Sequence, residues 1–234
     1  MTRLLTAFFS AIIFCSCQSI TGSGNITTQT RNLNHFEGVK TSGSIDIEVM
    51  NDESQLVKVE ADDNILPYVI TRVEDGLLDV HFKSHYSYNN DHVKVYVSAP
   101  SLKKILVSGS GSITSKDTLK DADQIELKVS GSGDIDAFVD AQSIIADIGG
   151  SGTITLRGRT KDFNCSIGGS GDLKCKNLLS ENTTASVGGS GTAHVFASVH
   201  LVAKVTGSGD IYYSGNPSSP EIRKTGSGSV QAEK

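Results

Sequence analysis

Three histidines, His81, His85 and His92, fall close together with Tyr86, Tyr88, Asn89, Asn90 and Asp91 between them. Imidazoles can ligate zinc or a similar ion, but only where they converge and a further group orients each ring. Tyrosine faces and asparagine amides suit another chemistry, contact with a sugar or a protein surface. Alternating runs flank the stretch, Leu77–Phe82 before it and Val93–Ser98 after it. A hairpin loop joining two strands therefore accounts for the segment without a metal. It leaves His81, His85, Tyr86, Tyr88, Asn89, Asn90 and His92 as a candidate binding loop.

Other reactive groups point less far. Gly168-Gly169-Ser170-Gly171-Asp172-Leu173 has the flavour of a calcium-binding nonapeptide. The match fails because the Asp follows the last Gly directly and because the motif returns after about 19 residues, not nine. No nucleophile elbow, phosphate loop or zinc signature is present. A β-helical polysaccharide lyase would want Asp metal ligands beside an Arg or Lys base, and Arg157 and Arg159 stand beside no clear acid cluster in the chain. Asp117-Thr118-Leu119 has the form of a bacterial O-glycosylation site with Thr118 as acceptor. Asn25-Ile26-Thr27 and Asn182-Thr183-Thr184 match the N-glycosylation sequon. The expectation is a non-enzyme with no cofactor and no metal.

The first residues are a leader. Arg3 carries the positive charge and Leu4 to Phe14 form a short apolar run, too short for a spanning helix of ~20 residues. Ser16 then precedes Cys17, as in a lipoprotein signal whose Cys takes a diacylglycerol before cleavage. Phe14 makes Cys15 a poorer acceptor, and Phe14 and Cys15 upstream of Cys17 depart from the commonest lipoprotein pattern. A plain secretory leader is the alternative. Each buried acyl CH2 contributes about 0.8 kcal/mol, and more than one chain makes anchoring stable. The chain's formal charge is −5 and it carries no basic run, which excludes nucleic acid as a natural partner. Export would permit a disulfide between Cys165 and Cys175, but both stand at inward positions of the pattern described next, where buried free thiols are the default.

Whatever these groups do, a repeat must position them. Gly-Ser-Gly occurs at Gly109 and Gly111, Gly131 and Gly133, Gly150 and Gly152, and Gly169 and Gly171. It returns at Gly189 and Gly191, Gly207 and Gly209, and Gly226 and Gly228, with steps of 22, 19, 19, 20, 18 and 19 residues. A flexible linker would carry no apolar phase, whereas here each motif is flanked by alternating runs. Ile125, Leu127 and Val129 lead one motif; Ile144, Ala146 and Ile148 lead the next. Ile135 and Ala137, then Ile154 and Leu156, follow. A period of two means strands with one face inward. Stacked at ~4.8 Å, coils of about 20 residues make a right-handed parallel β-helix, six steps of which span roughly 30 Å. Low hydrophobic content, 37%, agrees with a thin core of small apolar side chains. The corner serines should stack in a column, hydroxyl to hydroxyl. After each corner an acid alternates with a hydroxyl: Asp134, Thr153, Asp172, Thr192, Asp210, Ser229. Interleaving keeps like charges roughly 9–10 Å apart, a structural reason for the acids.

Residues 25–105 differ. Ser42-Gly43-Ser44-Ile45-Asp46-Ile47 is an imperfect corner, with strands expected at Ile45–Met50, Leu56–Ala61, Leu77–Phe82 and Val93–Ser98 and a turn at Glu74-Asp75-Gly76. Asp62-Asp63-Asn64 should cap one short helical turn running to Tyr68. The section starts the stack and covers its first edge. The organisation is thus a leader (1–16), a lipid-anchored linker (17–24), a β-rich capping section (25–105) and the repeat solenoid (106–234).

Gly22-Ser23-Gly24-Asn25-Ile26, then Phe36-Glu37-Gly38-Val39 with Ser42 through Ile47, then Val59 through Tyr68 and the Gly-Ser-Gly series, in that order, resemble the auto-transporter adhesin, head GIN domain family over about residues 25–230. The resemblance implies a β-helical envelope protein and supplies no activity or catalytic residue. The resulting expectation is an outer-membrane lipoprotein that binds a glycan or an envelope protein, or else a structural component packing against one. Gln18-Ser19-Ile20 lacks an acidic run, which favours the periplasmic side.

Overall fold

The computed structural model describes residues 18–89 and 92–233. Cys17 and the expected leader before it, Asn90, Asp91 and Lys234 lie outside the described residues. In chain order the strands of the first section are β1 (Gln18–Thr21), β2 (Ile26–Arg31), β3 (Gly38–Gly43), β4 (Asp46–Asn51) and β5 (Leu56–Asp62). After a 3-10 turn at Leu66–Tyr68 come β6 (Val69–Glu74), β7 (Leu77–Phe82), β8 (Tyr86–Asn89), β9 (Val93–Ala99) and β10 (Lys104–Gly109). The repeat supplies long bent strands, β11 (Ser112–Gly131), β12 (Asp134–Ile148), β13 (Thr153–Ile167) and β14 (Asp172–Val187). It ends in β15 (Thr192–Ala197), β16 (His200–Gly207), β17 (Asp210–Gly215), β18 (Glu221–Gly226) and β19 (Ser229–Ala232).

The repeat is a parallel β-solenoid, as the spacing predicts. One wall stacks β7, β3, β10, β11, β12, β13, β14, β16 and β18 in parallel. The second wall stacks β9, β4, β11, β12, β13, β14, β15, β17 and β19. At ~4.8 Å per step each wall is roughly 38 Å deep. A third wall forms only where the long strands bend round, with Thr118, Phe138, Arg157 and Asn177 in register. Inward columns hold Ile135, Ile154 and Leu173 on one wall and Val129, Ile148 and Ile167 on the other, all essentially buried. The interior is filled by such side chains from one end to the other.

The corners work chiefly by close approach. A Cβ on Gly171 would stand 2.4 Å from the Gly152 carbonyl oxygen and 2.6 Å from Ile148 Cγ2, inside any tolerable contact. Its φ is outside the left-handed region, so crowding from the preceding coil, rather than a special backbone angle, demands glycine there. Gly131 combines both reasons, with φ +146° and the Gly109 oxygen 2.4 Å from a built Cβ. The expected serine ladder is absent. The corner serines are exposed, and no hydrogen bond joins one to the next among the described residues. The acids do more than avoid each other: Asp134 Oδ1 accepts from Thr153 N (2.9 Å), and Asp210 Oδ1 accepts from both N and Oγ of Ser229 (2.8 and 2.7 Å). Asp46 does the same for Ser112 (2.9 and 2.7 Å), so the imperfect corner belongs to the same column.

The first section departs from chain order. β3 and β4 do not open the stack; they lie between the β7/β9 coil and the β10/β11 coil. Beyond β7 lies antiparallel β6, joined to it through the expected Asp75-Gly76 turn, and beyond β9 lie antiparallel β5 and then β2. These antiparallel strands cover the parallel edge. Asp62, Asp63 and Asn64 do not cap the 3-10 turn, whose N-cap is Ile65 with no side-chain bond. They hold residues 23–25 instead: Asp62 accepts from Gly24 N (2.6 Å), Asp63 from Ser23 Oγ (2.6 Å) and Asn64 from Ser23 N (3.0 Å). The stretch expected as a linker is therefore, from Gln18 on, a bound strand and a tethered turn. At the opposite end β18 is exposed, and Lys224 occupies the inward column of Val187 and Val205. A charge at that position of a terminal strand discourages another chain from pairing there.

Candidate binding surfaces

The His81–His92 segment is not a hairpin loop. β7 and β9 belong to different walls, and the chain crosses between them through β8, which pairs in parallel with β1 in the register Gln18↔Tyr86 to Thr21↔Asn89. The rings pack on one another, partly exposed, rather than standing free. Phe82 and Tyr88 stack with centroids 4.3 Å apart, and Tyr68 meets Tyr86 edge-on at 5.0 Å. Tyr88 donates its hydroxyl to the Lys83 carbonyl (2.9 Å), and burial, reinforced by Tyr68 and Tyr86, raises its pKa. Asn89 donates to Ser19 Oγ (2.7 Å).

The three histidines diverge. His81 Nδ1 stands 3.3 Å from Asp79 Oδ2 but is not aligned for a hydrogen bond. His85 is exposed, at φ +73°. His92 approaches Glu60 (3.2 Å), while its backbone N donates to Asp62 Oδ2 (2.7 Å). Among the described residues no group of three or more His, Cys, Asp or Glu could hold a metal ion. The segment's polar groups are largely spent on fastening the cap.

A more open surface lies on the third wall, where sequence reasoning did not look. Coil by coil Asp140, Arg159 and Leu179 align. The next coil is shorter and has no strand there; it turns through Ser198 and Val199, whose backbone N atoms donate to Ser180 O and Glu181 O. The wall thus ends in a ledge above a concavity of about 610 Å³, lined among others by Arg159, Lys161, Leu179, Glu181 and Phe196. Leu179 is 55% exposed, high for a leucine of a folded strand. Arg159 donates from Nε and Nη2 to Asp140 Oδ2 (3.0 and 2.8 Å). Arg157 pairs likewise with Asp136 and lies over the Phe138 ring. Arg157 and Arg159, isolated along the chain, each have an acid on the preceding coil. Reading the chain back by one coil length, from Arg159 to Asp140, would have revealed it.

A second concavity, about 630 Å³, lies where the cap meets the stack, beside Asp46, Glu48, His92, Lys94 and Lys116. Glu48 is bridged by Lys94 (3.1 Å) and Lys116 (3.0 Å). Burial pushes its pKa up, but hydrogen bonds from the two lysines outweigh that and hold it low. Its charges are matched within the protein. Thr118, the expected glycan acceptor, is half-buried on β11, and its carbonyl accepts from Asn51 Nδ2 (3.3 Å). Cys165 and Cys175 are buried free thiols. Burial raises the pKa of Cys165 strongly and that of Cys175 to about 12, so neither is poised as a nucleophile.

This geometry has close counterparts. A structure from Bacteroides fragilis described as a putative adhesin matches with a TM-score of 0.87 and 22% identity, over 92% of this chain and 100% of that one. Two from Parabacteroides distasonis follow. One, described as a putative lipid binding protein, has a TM-score of 0.78 and 24% identity over 93% and 100% of the two chains. The other, described as a putative adhesin, has a TM-score of 0.73 and 28% identity over 92% and 100%. Identities of 22 and 24% show a shared fold. No curated protein matches the sequence. A family model described as "putative auto-transporter adhesin, head GIN domain" matches residues 35–217. By that match, which spans most of the solenoid and its cap, the chain belongs to the auto-transporter adhesin, head GIN domain family.

Proposed function

We propose that the protein is a non-catalytic envelope lipoprotein, acylated at Cys17, that binds an extended ligand on its outer wall in the manner of an adhesin. The observation that carries this reading is the filled interior. Ile154, Leu156, Leu173 and Val187 are completely buried against their neighbours, so any ligand must meet an outer face. The third-wall ledge suits one best. Leu179 and Phe196 offer apolar contact, and the Arg159–Asp140 pair offers donors and acceptors to hydroxyl or carboxylate groups. A glycan strand fits that combination, and many anchored copies would turn weak single contacts into firm attachment. The lack of an acidic run at Gln18-Ser19-Ile20 supports attachment to the outer membrane with the solenoid on the periplasmic side.

The test is an array of glycans and envelope proteins probed with purified protein, Leu179→Asp and Arg159→Ala. Binding that both substitutions weaken at unchanged melting temperature supports the ledge. Depolymerisation of a glycan by the purified protein would sink the non-catalytic reading.

A further inference from the structure

We infer that the cap end, led by Tyr68, Tyr86 and Tyr88, lies against the lipid bilayer, and that the Gly-Ser-Gly stack points away from it. This rests on the acylation of Cys17 proposed above and adds an orientation to it.

The argument is one of chain length. Gln18, the residue next to Cys17, already belongs to β1 and pairs with Tyr86. β1 and the turn after it are fastened on both sides. Gly22 N donates to Asn89 O (3.0 Å), Asn89 to Ser19 Oγ (2.7 Å), and Asn64 Nδ2 to Thr21 O (2.8 Å). One residue reaches at most ~3.6 Å, so no slack separates an acylated Cys17 from the fold. With its acyl chains in the hydrocarbon, Gln18 and its register partner Tyr86 sit at the headgroup layer, which is ~5–8 Å thick on each side.

The chemistry at that end agrees. Tyr68, Tyr86 and Tyr88 form one partly exposed aromatic cluster with Phe82, backed by half-buried Ile20 on β1. Tyrosine, apolar in body and polar at the tip, is the side chain favoured at a membrane–water boundary. Lys83, exposed and 5.9 Å from the Tyr86 ring centre, adds a cation where headgroup phosphates would be. The opposite end exposes Glu221, Arg223 and Lys224, and among the described residues its aromatic contact is the stacked pair of His194 and Tyr212, one coil in from β19, rather than a cluster of tyrosines. The orientation also sets the Leu179 ledge several coils above the membrane.

The chain has no tryptophan, so a single introduced one is a clean reporter. Acylated full chain carrying Tyr86→Trp, Ser87→Trp or Ser208→Trp is reconstituted into phosphatidylethanolamine–phosphatidylglycerol vesicles. Part of the lipid is brominated near the headgroup end of its acyl chains. Flotation and the mass of the N-terminal peptide report the anchor; fluorescence quenching reports depth. Ser87 is exposed on β8, so that reporter serves if the packed Tyr86 position does not tolerate the larger ring. The expected result is flotation with acyl-Cys17, and quenching at 86 or 87 about twofold or more above that at 208, since only the former lie within the headgroup layer. Flotation with equal quenching at both ends overturns the orientation and leaves the anchor standing. A chain that neither floats nor carries acyl-Cys17 overturns the anchor, and this inference with it.

Discussion

The repeat stack and the cap use the same strands for opposite ends. From β10 onward, position in space follows position in the chain, every wall pairing is parallel, and each inward side chain rests on its counterpart one coil away. In the cap, β3 and β4 are buried beneath strands that come later in the chain, and β2, β5 and β6 run antiparallel. A coil in the middle of a solenoid has two equivalent neighbours and can be copied. An outermost coil has one, so it must be closed by something that does not repeat. The stack therefore depends on a steric rule applied many times, and the cap on individual polar bonds used once. The two should fail differently.

Breaking the stack's rule should cost most. Gly171→Val places its side chain on the Gly152 oxygen, and a loss of about 3 kcal/mol or more is expected, a fall in Tm of roughly 6–12 °C. Asp172→Asn, one residue on, should stay within about 0.5 kcal/mol. Equal melting shifts would refute the close-approach account.

Asp62→Ala tests the cap. It removes the acceptor of both Gly24 N and His92 N at a buried position, for a cost of about 2–4 kcal/mol. Hydrogen exchange should quicken in residues 23–31 and 92–99 while residues 130–210 keep their protection. Uniform quickening would show that cap and stack unfold as one unit.

The stack's thiols sharpen the contrast through pH. Both folded pKa values are raised by burial, that of Cys175 to about 12. Below pH ~8 both states keep the proton and the thiols contribute nothing to pH dependence. Above ~8.5 the unfolded chain loses protons that the folded one retains, so stability falls by up to about 1.4 kcal/mol per pH unit per thiol until the folded value is reached. Denaturant melts of Cys175→Ala should show a shallower decline between pH ~8.5 and ~10.5 than the parent. Parallel curves would mean that the thiol is not protected.

The smallest effect belongs to the outer wall. Arg159 is 76% exposed, and removal of its pair with Asp140 should change stability by less than about 0.5 kcal/mol. A large destabilisation of Arg159→Ala would make that pair part of the scaffold rather than of a binding surface.

Much of this was legible along the chain. The corner spacing, the inward phase of Cys165 and Cys175 and the Asp/Thr alternation depend only on period, and period survives in a single sequence. The Asp75-Gly76 turn is likewise local, with φ values of +50° and +72°. The pairing of Arg157 with Asp136 was missed because coil neighbours are distant in sequence. The role of residues 62–64 was misjudged because the same side chains that cap helices also hold a passing strand. The histidine segment misled because its flanking strands, though both alternating, belong to different walls.

Local sequence thus settles what every coil has in common: glycine where one backbone lies on the next, a small apolar side chain wherever the strand faces inward, and an acid followed one coil on by a hydroxyl. Those features act between adjacent coils and recur, so they are visible as a pattern. Which strand lies outermost, what β1 pairs with and where the third wall stops are properties of the two ends and of one shortened coil. Each happens once and joins residues far apart in the chain. Only the folded arrangement could place Tyr86 beside Gln18, or Leu179 at the brink of a ledge, because packing of the whole stack decides which surfaces are left uncovered.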